Sequence, residues 1–571
     1  MRAGACRLMA ALAMVVVATN ALAQAVPPSL QPGRERERFT QPAAPLSQPG
    51  GPGISLPSTV APPGAERIKV RVRSIQIVGM TVYTQAQIAP LYADLIGKQV
   101  PLQAIYDLAQ RITSKYGNDG YVISRAIVPP QELNPAGATI KIQVIEGYVD
   151  KVEWPKALDK YKYAYFFSYY TAKITAERPS NIHTIERYLL LAGDLPGLKF
   201  KNSLKPSTTH QGAATLVVEV LAEKLIDAAA RVDNRGTKGQ GPLEGQATAT
   251  INNPLRIHDA WTLTYAGPFK TEELKYIYGQ YSQVLMPEGL QFFVDASNGY
   301  GRPRLPADFA LIAPDYRTQS TVVETGLTYP FVRTRERNLS VTGLFFTSHN
   351  AAFTPFSPDG PPSSLDRLRG GRFKINADAA DPLNGIDQLN VVLSQGLIGL
   401  GSTTNGQPLA SRANGRVDFS KTEATLTRMQ PLPANFSFLG SAYGQYAAGT
   451  PLLTSELCGF GGRVFGRAFD PSDLVADSCV EELGELRYDV PAMPWTPKPV
   501  TQVQFYGFAD NAWLHNLAPD VGTPRNQKAA SAGGGLRLGW WNAVAADLSA
   551  AKAVEGPRND WRFFFIISAK Y

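Results

Sequence analysis

Hydrophobic and polar residues alternate along most of the chain beyond Leu225. In segments such as 247–251, 261–265 and 339–342, apolar side chains occupy one face and threonine or serine occupies the other. A period of two residues predicts β-strands, and a polar face of small uncharged residues is typical of strands that border a water-filled lumen. At roughly 20–24 residues for each strand and its connection, residues 225–571 predict an all-β transmembrane barrel of about 16 antiparallel strands.

The last eleven residues, 561–571, continue this pattern. One face of the predicted strand carries Phe563, Phe565, Ile567 and Tyr571. A final strand with one apolar face and a terminal aromatic residue is typical of outer-membrane barrels. We expect this strand to close the barrel against the segment 228–232, and to be the signal that the barrel-assembly machinery recognises during insertion.

The predicted connections differ in length. Asn253–Leu255 predicts a tight turn, whereas 351–368 and 453–482 predict long loops. Short turns of outer-membrane barrels face the periplasm and long loops face outward. The two long segments are therefore expected at the outer end.

Residues 67–224 have a different period. A strand near 70–77 is followed by helical spacing over 84–96 and 102–116 and then by two strands. The same β-α-α-β-β order occurs twice, over 67–147 and over 148–224, and such a repeat indicates stacked modules. Two tandem α+β units of this order resemble POTRA domains, the periplasmic modules that bind polypeptides.

The composition suits this organisation. The chain has 571 residues, of which 18 % are charged, less than the roughly 25 % of a typical soluble protein. The formal charge of +8 suits an aqueous pore or an anionic lipid surface. Nucleic acid is not the expected partner, because the densest basic run, Arg34–Arg38, alternates with glutamate.

The N-terminus has the features of an exported protein. Residues 1–23 combine early arginines, a short apolar core and the small-residue site Ala21-Leu-Ala23, which predicts a cleaved signal peptide. Residues 24–66 are rich in proline and glycine and predict a disordered or extended linker. Only 34–39 could turn into a helix between its prolines, so a helix that plugs the pore is not expected.

Three passages carry a further resemblance. The barrel begins with 231–236 (RVDNRG) and the turn 253–255 (NPL). A long loop reads FGGRVFGRAFDPSD over 460–473 and is followed by GELRY over 484–488, and a later strand reads FYGFAD over 505–510. In this order, the motifs resemble those of two-partner secretion (TpsB-type) outer-membrane transporters, the haemolysin-activator and haemagglutinin-secretion family.

The resemblance implies a site inside the barrel. The loop motif maps onto Gly461, Gly462, Gly466, Arg467 and Phe469, with Ala468 where the family often has glycine. The barrel-wall acid of the family maps onto Asp510, and the resemblance implies that Arg467 meets it in the lumen. An Arg–carboxylate pair gives such a loop a directional anchor.

Cys458 and Cys479 flank this loop and are the only cysteines left after removal of residues 1–23. Both would face an oxidising compartment, where disulfides form and persist. We predict that they are joined, which would constrain the loop by roughly 3 kcal/mol. The alternative is two free thiols.

Catalytic chemistry is not expected. The five histidines at 183, 210, 258, 349 and 515 are scattered, and no metal-ligand spacing occurs. Residues 459–462 are glycine-rich, but no Lys-Ser/Thr pair follows them as in a nucleotide loop. We expect no enzyme activity, no cofactor and no metal.

The expected function is export across the outer membrane of a Gram-negative bacterium. The periplasmic modules would capture a large unfolded exoprotein, resembling an adhesin or haemolysin, by adding its strand to a sheet edge. It would pass through the lumen as the loop shifts and would fold outside, without nucleotide. The alternatives are a barrel insertion or assembly factor and, with less support, a passive porin.

Overall fold

The computed structural model describes residues 26–40, 43–50, 61–134, 137–207, 210, 212–305, 315–354, 360–491, 499–520 and 523–571. The predicted signal peptide, 1–23, lies outside these residues. The described chain begins with a short helix, α1 (Glu35–Phe39), continues through two α+β modules and ends in a closed barrel. In the described part of the chain, no helix is both long and apolar enough to cross a membrane.

The first module is a four-stranded sheet covered by helices. Its strands are β1 (Lys69–Val78), β2 (Gln99–Pro101), β3 (Arg125–Ile127) and β4 (Ala138–Ile145), in the order β2-β1-β4-β3. Its helices are α2 (Gln85–Ile88) and α3 (Leu102–Asn118). The helix predicted over 84–96 ends early and continues as two 3₁₀ turns, because Pro90 has no N–H to donate.

The second module repeats the plan with three strands. Its elements are β5 (Tyr148–Glu153), α4 (Tyr165–Ala176), α5 (Ile182–Gly193), β6 (Leu198–Pro206) and β7 (Ala213–Glu223), and the sheet order is β5-β7-β6. The apolar faces of both helices pack on the sheet, where Phe166, Tyr170 and Ile185 are buried. Because β7 lies in the middle of the sheet, the nine-residue strand β6 forms one of its edges.

Sixteen antiparallel strands close into a barrel in the described part of the chain, as predicted. All sixteen follow chain order around the wall, and the last, β25 (Trp561–Lys570), closes it by pairing with the first, β8 (Ile226–Asp233), from Lys570 opposite Ala229 to Ile566 opposite Asp233. Closure leaves no open sheet edge for lipid to face. The barrel strands are β8 (Ile226–Asp233), β9 (Glu244–Asn252), β10 (Asp259–Pro268), β11 (Lys275–Val284), β12 (Gln291–Gly301), β13 (Arg317–Arg333), β14 (Arg337–Phe353), β15 (Ser364–Ala380), β16 (Ile386–Gly396), β17 (Ser420–Pro431), β18 (Phe436–Ala447), β21 (Ser478–Asp489), β22 (Val500–His515), β23 (Asn526–Trp540), β24 (Val544–Glu555) and β25 (Trp561–Lys570).

The C-terminal strand has the predicted apolar outer face. Phe563 is 73 % exposed, Ile567 and Tyr571 are also exposed, and Phe565 is half-buried. Phe564 points inward and is buried against the loop 448–477. The outward row is the surface that lipid covers in a barrel.

The long connections lie at the end away from the modules, but the first is shorter than predicted and the second is shifted toward the N-terminus by five residues. Strands β14 and β15 include residues that were predicted to lie in the loop 351–368, so the connection between them is only 354–363. Residues 478–482 belong to β21, and the loop before it, 448–477, contains the paired strands β19 (Cys458–Phe460) and β20 (Leu474–Ala476). Rather than facing outward, this luminal loop folds back into the barrel, where Phe460 and Phe469 pack against inward residues of the wall.

Although the sequence does not lead us to expect a helix that plugs the pore, the segment 34–39 does form α1, which lies inside the barrel. Arg36 pairs with Asp295 at 2.9 Å and with Glu324 at 3.0 Å, and Arg38 pairs with Glu244. Nearer the module end, the N–H of Ser47 donates to Asp378 at 2.5 Å. Hydrophobic periodicity could not reveal this segment, because it is held by charges on the barrel wall.

The second module is fixed to the near end of the barrel. Asp194 accepts two hydrogen bonds of 2.7 Å from Arg333, at the end of β13. In the turn 253–258, His258 is inserted beside the ring of Phe166, 4.8 Å between centroids, and burial lowers its pKa. The neutral ring can therefore pack among the aromatic residues of the module without an unpaired charge.

A third contact places Glu288, in the turn 285–290, against the helices of the second module. Its carboxylate accepts hydrogen bonds from Tyr169 (2.7 Å), Tyr188 (2.9 Å) and Arg187 (3.2 Å). Burial acts to raise the pKa of Glu288, but the hydrogen bonds from the two tyrosines and Arg187 outweigh it and lower the pKa. The charged form is thus favoured at neutral pH.

Glu288→Gln should loosen this junction. The amide keeps the shape but loses the charge that strengthens three hydrogen bonds, and we expect local opening to become easier by about 1–2 kcal/mol. Hydrogen exchange of α4 and α5 measures this free energy. Because the folded pKa is depressed, acid should weaken the wild-type junction as the pH falls through and below the ordinary range of a glutamate.

Glu336→Gln is the matched control, since Glu336 is exposed on a neighbouring turn of the barrel. Equal exchange rates in wild type, Glu288→Gln and the control would show that the contact does not hold the module.

Candidate functional site

The tip of the luminal loop is built on glycines whose conformation disfavours other residues. Gly461 and Gly466 have φ of +120° and +65°, a region that residues with a Cβ rarely adopt. A Cβ on Gly461 would lie 2.0 Å from the carbonyl oxygen of Asp470. The chain therefore reverses here within a tight turn, which brings the next residue, Arg467, to the barrel wall.

Arg467 is anchored to two carboxylates on adjacent strands. Its Nη2 lies 3.3 Å from Oδ1 of Asp510 on β22, and its Nη1 lies 2.5 Å from Oε2 of Glu485 on β21. The backbone N–H of Arg467 also donates to Oδ2 of Asp510 at 2.9 Å. The guanidinium lies 3.4 Å from the ring centroid of Phe508, which adds a cation–π contact.

Both carboxylates are almost fully buried, each with 1 % of its surface exposed. The structure thus brings together the predicted Arg467 and Asp510 but adds Glu485, which sequence reasoning did not select. Its position in the GELRY motif was the available signal. Removing one partner of a buried ion pair costs about 3–5 kcal/mol, because the other charge is left unpaired.

Glu485 also connects the loop anchor to the wall itself. Arg487 donates to it at 2.6 Å and Arg537 at 2.8 Å, and Arg537 continues to Asp547 at 3.0 Å. A single carboxylate therefore serves three arginines. The anchor is part of a network that spans four neighbouring strands, β21 to β24.

A second anchor lies on the opposite side of the loop tip. Arg463 contacts Asp233 and Glu244, each at 2.9 Å, on β8 and β9. Arg235 donates to the carbonyl oxygen of Arg467 at 2.8 Å. Asp233 and Arg235 belong to the RVDNRG motif, so this motif of the first barrel strand and the adjoining loop contacts the luminal loop.

The remaining predicted residues of the loop stabilise its fold. Phe469 is buried, and its ring centroid lies 5.4 Å from that of Phe460. Ala468, the departure from the family pattern, is also fully buried. Gly462 has a φ of +124° and accepts a hydrogen bond from Arg235.

The N-terminal segment contacts the same loop. Arg34 donates to the carbonyl oxygen of Leu457 and, at 3.0 Å, to the hydroxyl of Ser472. Arg463 donates at 2.9 Å to the carbonyl oxygen of Arg38. The loop and α1 together fill much of the lumen and leave a cavity of about 1390 Å³ between them and the wall.

A disulfide joins Cys458 on β19 to Cys479 on β21, with 6.5 Å between the Cα atoms. It ties the start of the inserted part of the loop to the strand that carries Glu485. The ion pairs of Arg467 and the disulfide therefore fix the loop to the same strand of the wall.

Mass spectrometry after thiol alkylation tests the disulfide. The mature protein should gain no alkyl group when it is unfolded without reductant and two after reduction. A Cys458→Ser variant supplies the control, because its remaining Cys479 should be alkylated without reduction. Two alkyl groups on the unreduced wild-type chain would contradict the bond.

Comparisons with known proteins agree with this architecture. The profile of the POTRA domain, ShlB-type, matches residues 70–147, and that of the haemolysin secretion/activation protein ShlB/FhaC/HecB matches residues 212–353. The first match covers the first module. The second runs from the last strand of the second module through β14.

Whole proteins also match along most of their length. The heme/hemopexin transporter protein HuxB of Haemophilus influenzae is 23 % identical over 516 residues, which cover 86 % of this chain and 85 % of that one. The outer membrane transporter CdiB of Dickeya dadantii is 21 % identical over 81 % of this chain and 79 % of that one. The structure of CdiB from Escherichia coli shares the fold, with a TM-score of 0.67 and 19 % identity over 95 % of this chain and 96 % of that one. The matched profiles, these relatives and the sixteen-stranded barrel with its two modules identify the chain as an outer-membrane transporter of the two-partner secretion type, with POTRA modules on its periplasmic side.

Proposed function

We propose that this transporter captures a large exoprotein in an unfolded state in the periplasm and exports it to the cell surface or medium. The observation that carries the proposal is the luminal loop, held by Arg467 inside a barrel whose periplasmic end bears two modules. A passive porin has no use for such modules. A pore for polypeptide needs both a capture surface and a removable obstruction.

Capture is assigned to the open edge of the second module. Strand β6 has one neighbour, β7, so the polar groups on its other side are free to pair with an added strand. Lys199, Lys201 and Lys205 are exposed along it. An extended segment with acidic side chains at alternate positions would match this edge.

Passage requires the luminal loop to leave its position. Arg467 must then separate from Glu485 and Asp510, and Arg463 from Asp233 and Glu244. Both arginines are paired with carboxylates rather than packed in an apolar core. Water that enters an opened lumen can therefore solvate the arginines and the carboxylates. Folding of the exoprotein outside would then drive export without nucleotide.

The exoprotein class follows from the relatives only by analogy. The matched proteins are named as transporters, one of heme/hemopexin and one an outer membrane transporter. For this chain we propose a large secreted partner of the adhesin or haemolysin type. Co-expression with a candidate partner, and assay of the medium with and without the transporter, identifies it.

Arg467→Ala should reduce secretion of the partner at least about tenfold, while the barrel still folds. The substitution removes the anchor that positions the loop. It leaves the buried carboxylates of Glu485 and Asp510 without the arginine that pairs with them, at a cost of about 3–5 kcal/mol. Quantitative immunoblotting of the partner in the medium measures the effect. Heat-dependent migration in gel electrophoresis checks that the barrel is closed.

Arg416→Ala is the control, because Arg416 is an exposed arginine outside the luminal loop that pairs only with nearby Asp418 among the described residues. Undiminished secretion by a folded Arg467→Ala variant would refute the role of the anchor. If loss of the transporter instead depleted other outer-membrane barrels, the insertion-factor alternative would replace export.

A further inference from the structure

Two arginines face outward near the end of the barrel away from the modules. Arg367 and Arg369 alternate along β15 with the buried, inward Leu368. They lie on the same outer face as Phe373, which is exposed on the lipid side. An outward arginine on a membrane barrel is costly at mid-depth and tolerated near the interface.

The two arginines form a positive cluster, and His349 lies beside it. The register places His349 on β14 directly opposite Arg367. Among the described residues, no carboxylate forms an ion pair with any of the three. On the adjacent strand, by contrast, Arg317 is paired with Asp315 at 2.5 Å.

Local contacts hold one of these guanidinium groups in place without neutralising it. Nη1 of Arg369 donates to the carbonyl oxygens of Leu368 at 2.7 Å and Ser348 at 3.2 Å. The other donors of the fork make no hydrogen bond to any other described residue. A guanidinium fixed in this way can bind two oxygens of one phosphate.

The cluster lies just above the apolar band. The sheet register places Phe345 two residues below the level of Arg369, and Phe373 follows four residues along β15. At about 3.4 Å per residue, these steps are roughly 7 and 14 Å along the strands. The arginines are therefore at the level of the lipid headgroups when the phenylalanines are in hydrocarbon.

The neighbouring loop adds apolar side chains at this level. Leu397 and Thr403 donate backbone hydrogen bonds to the carbonyl oxygens of Arg369 and Arg367, at 2.8 and 3.0 Å. Between them, Ile398 and Leu400 are 66 % and 71 % exposed. Two basic side chains, Arg367 and Arg369, and two apolar ones, Ile398 and Leu400, therefore lie in one patch at the outer end of the barrel.

We propose that this patch is a binding site for a phosphorylated glycolipid of the outer leaflet. Arg367 and Arg369 would contact its phosphate, and the acyl chains would cover Phe345 and Phe373. Charge complementarity selects this occupant: two arginines, neither of them in an ion pair with another described residue, face the leaflet directly above an apolar wall. A protein partner would need to displace lipid from that wall.

Binding of bisphosphorylated lipid A to the full-length protein in phosphatidylcholine nanodiscs tests the site. Native mass spectrometry over a lipid titration gives the affinity. The Arg367→Ala/Arg369→Ala variant should bind about 30-fold more weakly, because each basic residue near an anionic lipid surface contributes roughly a factor of five. Arg367→Lys/Arg369→Lys should retain most of the affinity, since it keeps both charges.

Lys528→Ala is the matched control, because Lys528 is exposed on the same face and end of the barrel beside Trp513, six strands away. Lys528→Ala should bind phosphorylated lipid A with the affinity of wild type. Lipid A without its phosphates should bind weakly to both wild type and the double variant, with equal affinity. Equal affinity of wild type and the double variant, or no preference for the phosphorylated lipid, would overturn the proposal. Complete displacement by an equal concentration of inorganic phosphate would also overturn it, because the site would then bind a free anion rather than a lipid.

Discussion

A barrel of sixteen strands encloses more space than the side chains of its wall can fill, and the rest of the structure depends on this constraint. The lumen is occupied instead by backbone, from the loop 448–477 and from α1. Inserted backbone carries polar groups that need partners. The inner wall supplies them as charged and polar side chains, and each inserted segment is held by arginines.

Ion pairs are a suitable means of holding a segment that must later move. A buried pair contributes little net stability compared with apolar packing, yet it specifies position, because a displaced charge loses its partner. Arg467 meets two carboxylates from different strands, so small shifts of the loop break at least one contact. The closed state can thus be well defined without being deeply stable.

The two ends of the barrel are built for different tasks. At the periplasmic end, short turns carry His258, Glu288 and Arg333 into contact with the second module, which orients it relative to the pore. At the outer end, the luminal loop turns inward, and Arg367 and Arg369 point outward from the wall. During transport we therefore expect the luminal segments to move, while the barrel wall, its lipid contacts and the periplasmic modules keep their positions.

Much of this architecture could be predicted from local patterns. Two-residue alternation revealed the barrel strands and the apolar face of β25, because one side of every strand meets lipid. Helical spacing revealed α3 and α5, because one face of each helix packs on a sheet. The loop motif and the FYGFAD strand were readable because their residues are contiguous in sequence.

The pairings inside the lumen were not readable in this way. Glu485, Asp233 and the helix α1 contact partners hundreds of residues away or on non-adjacent strands, and charged residues carry no periodic signal of burial. By itself, the sequence determined which segments are strands, which faces are apolar and which loop bears the motif arginine. Apart from the Arg467–Asp510 pair, which the family resemblance implied, only the tertiary structure decided which charges meet, because that depends on how barrel closure sets strand register and on which segments the enclosed space admits.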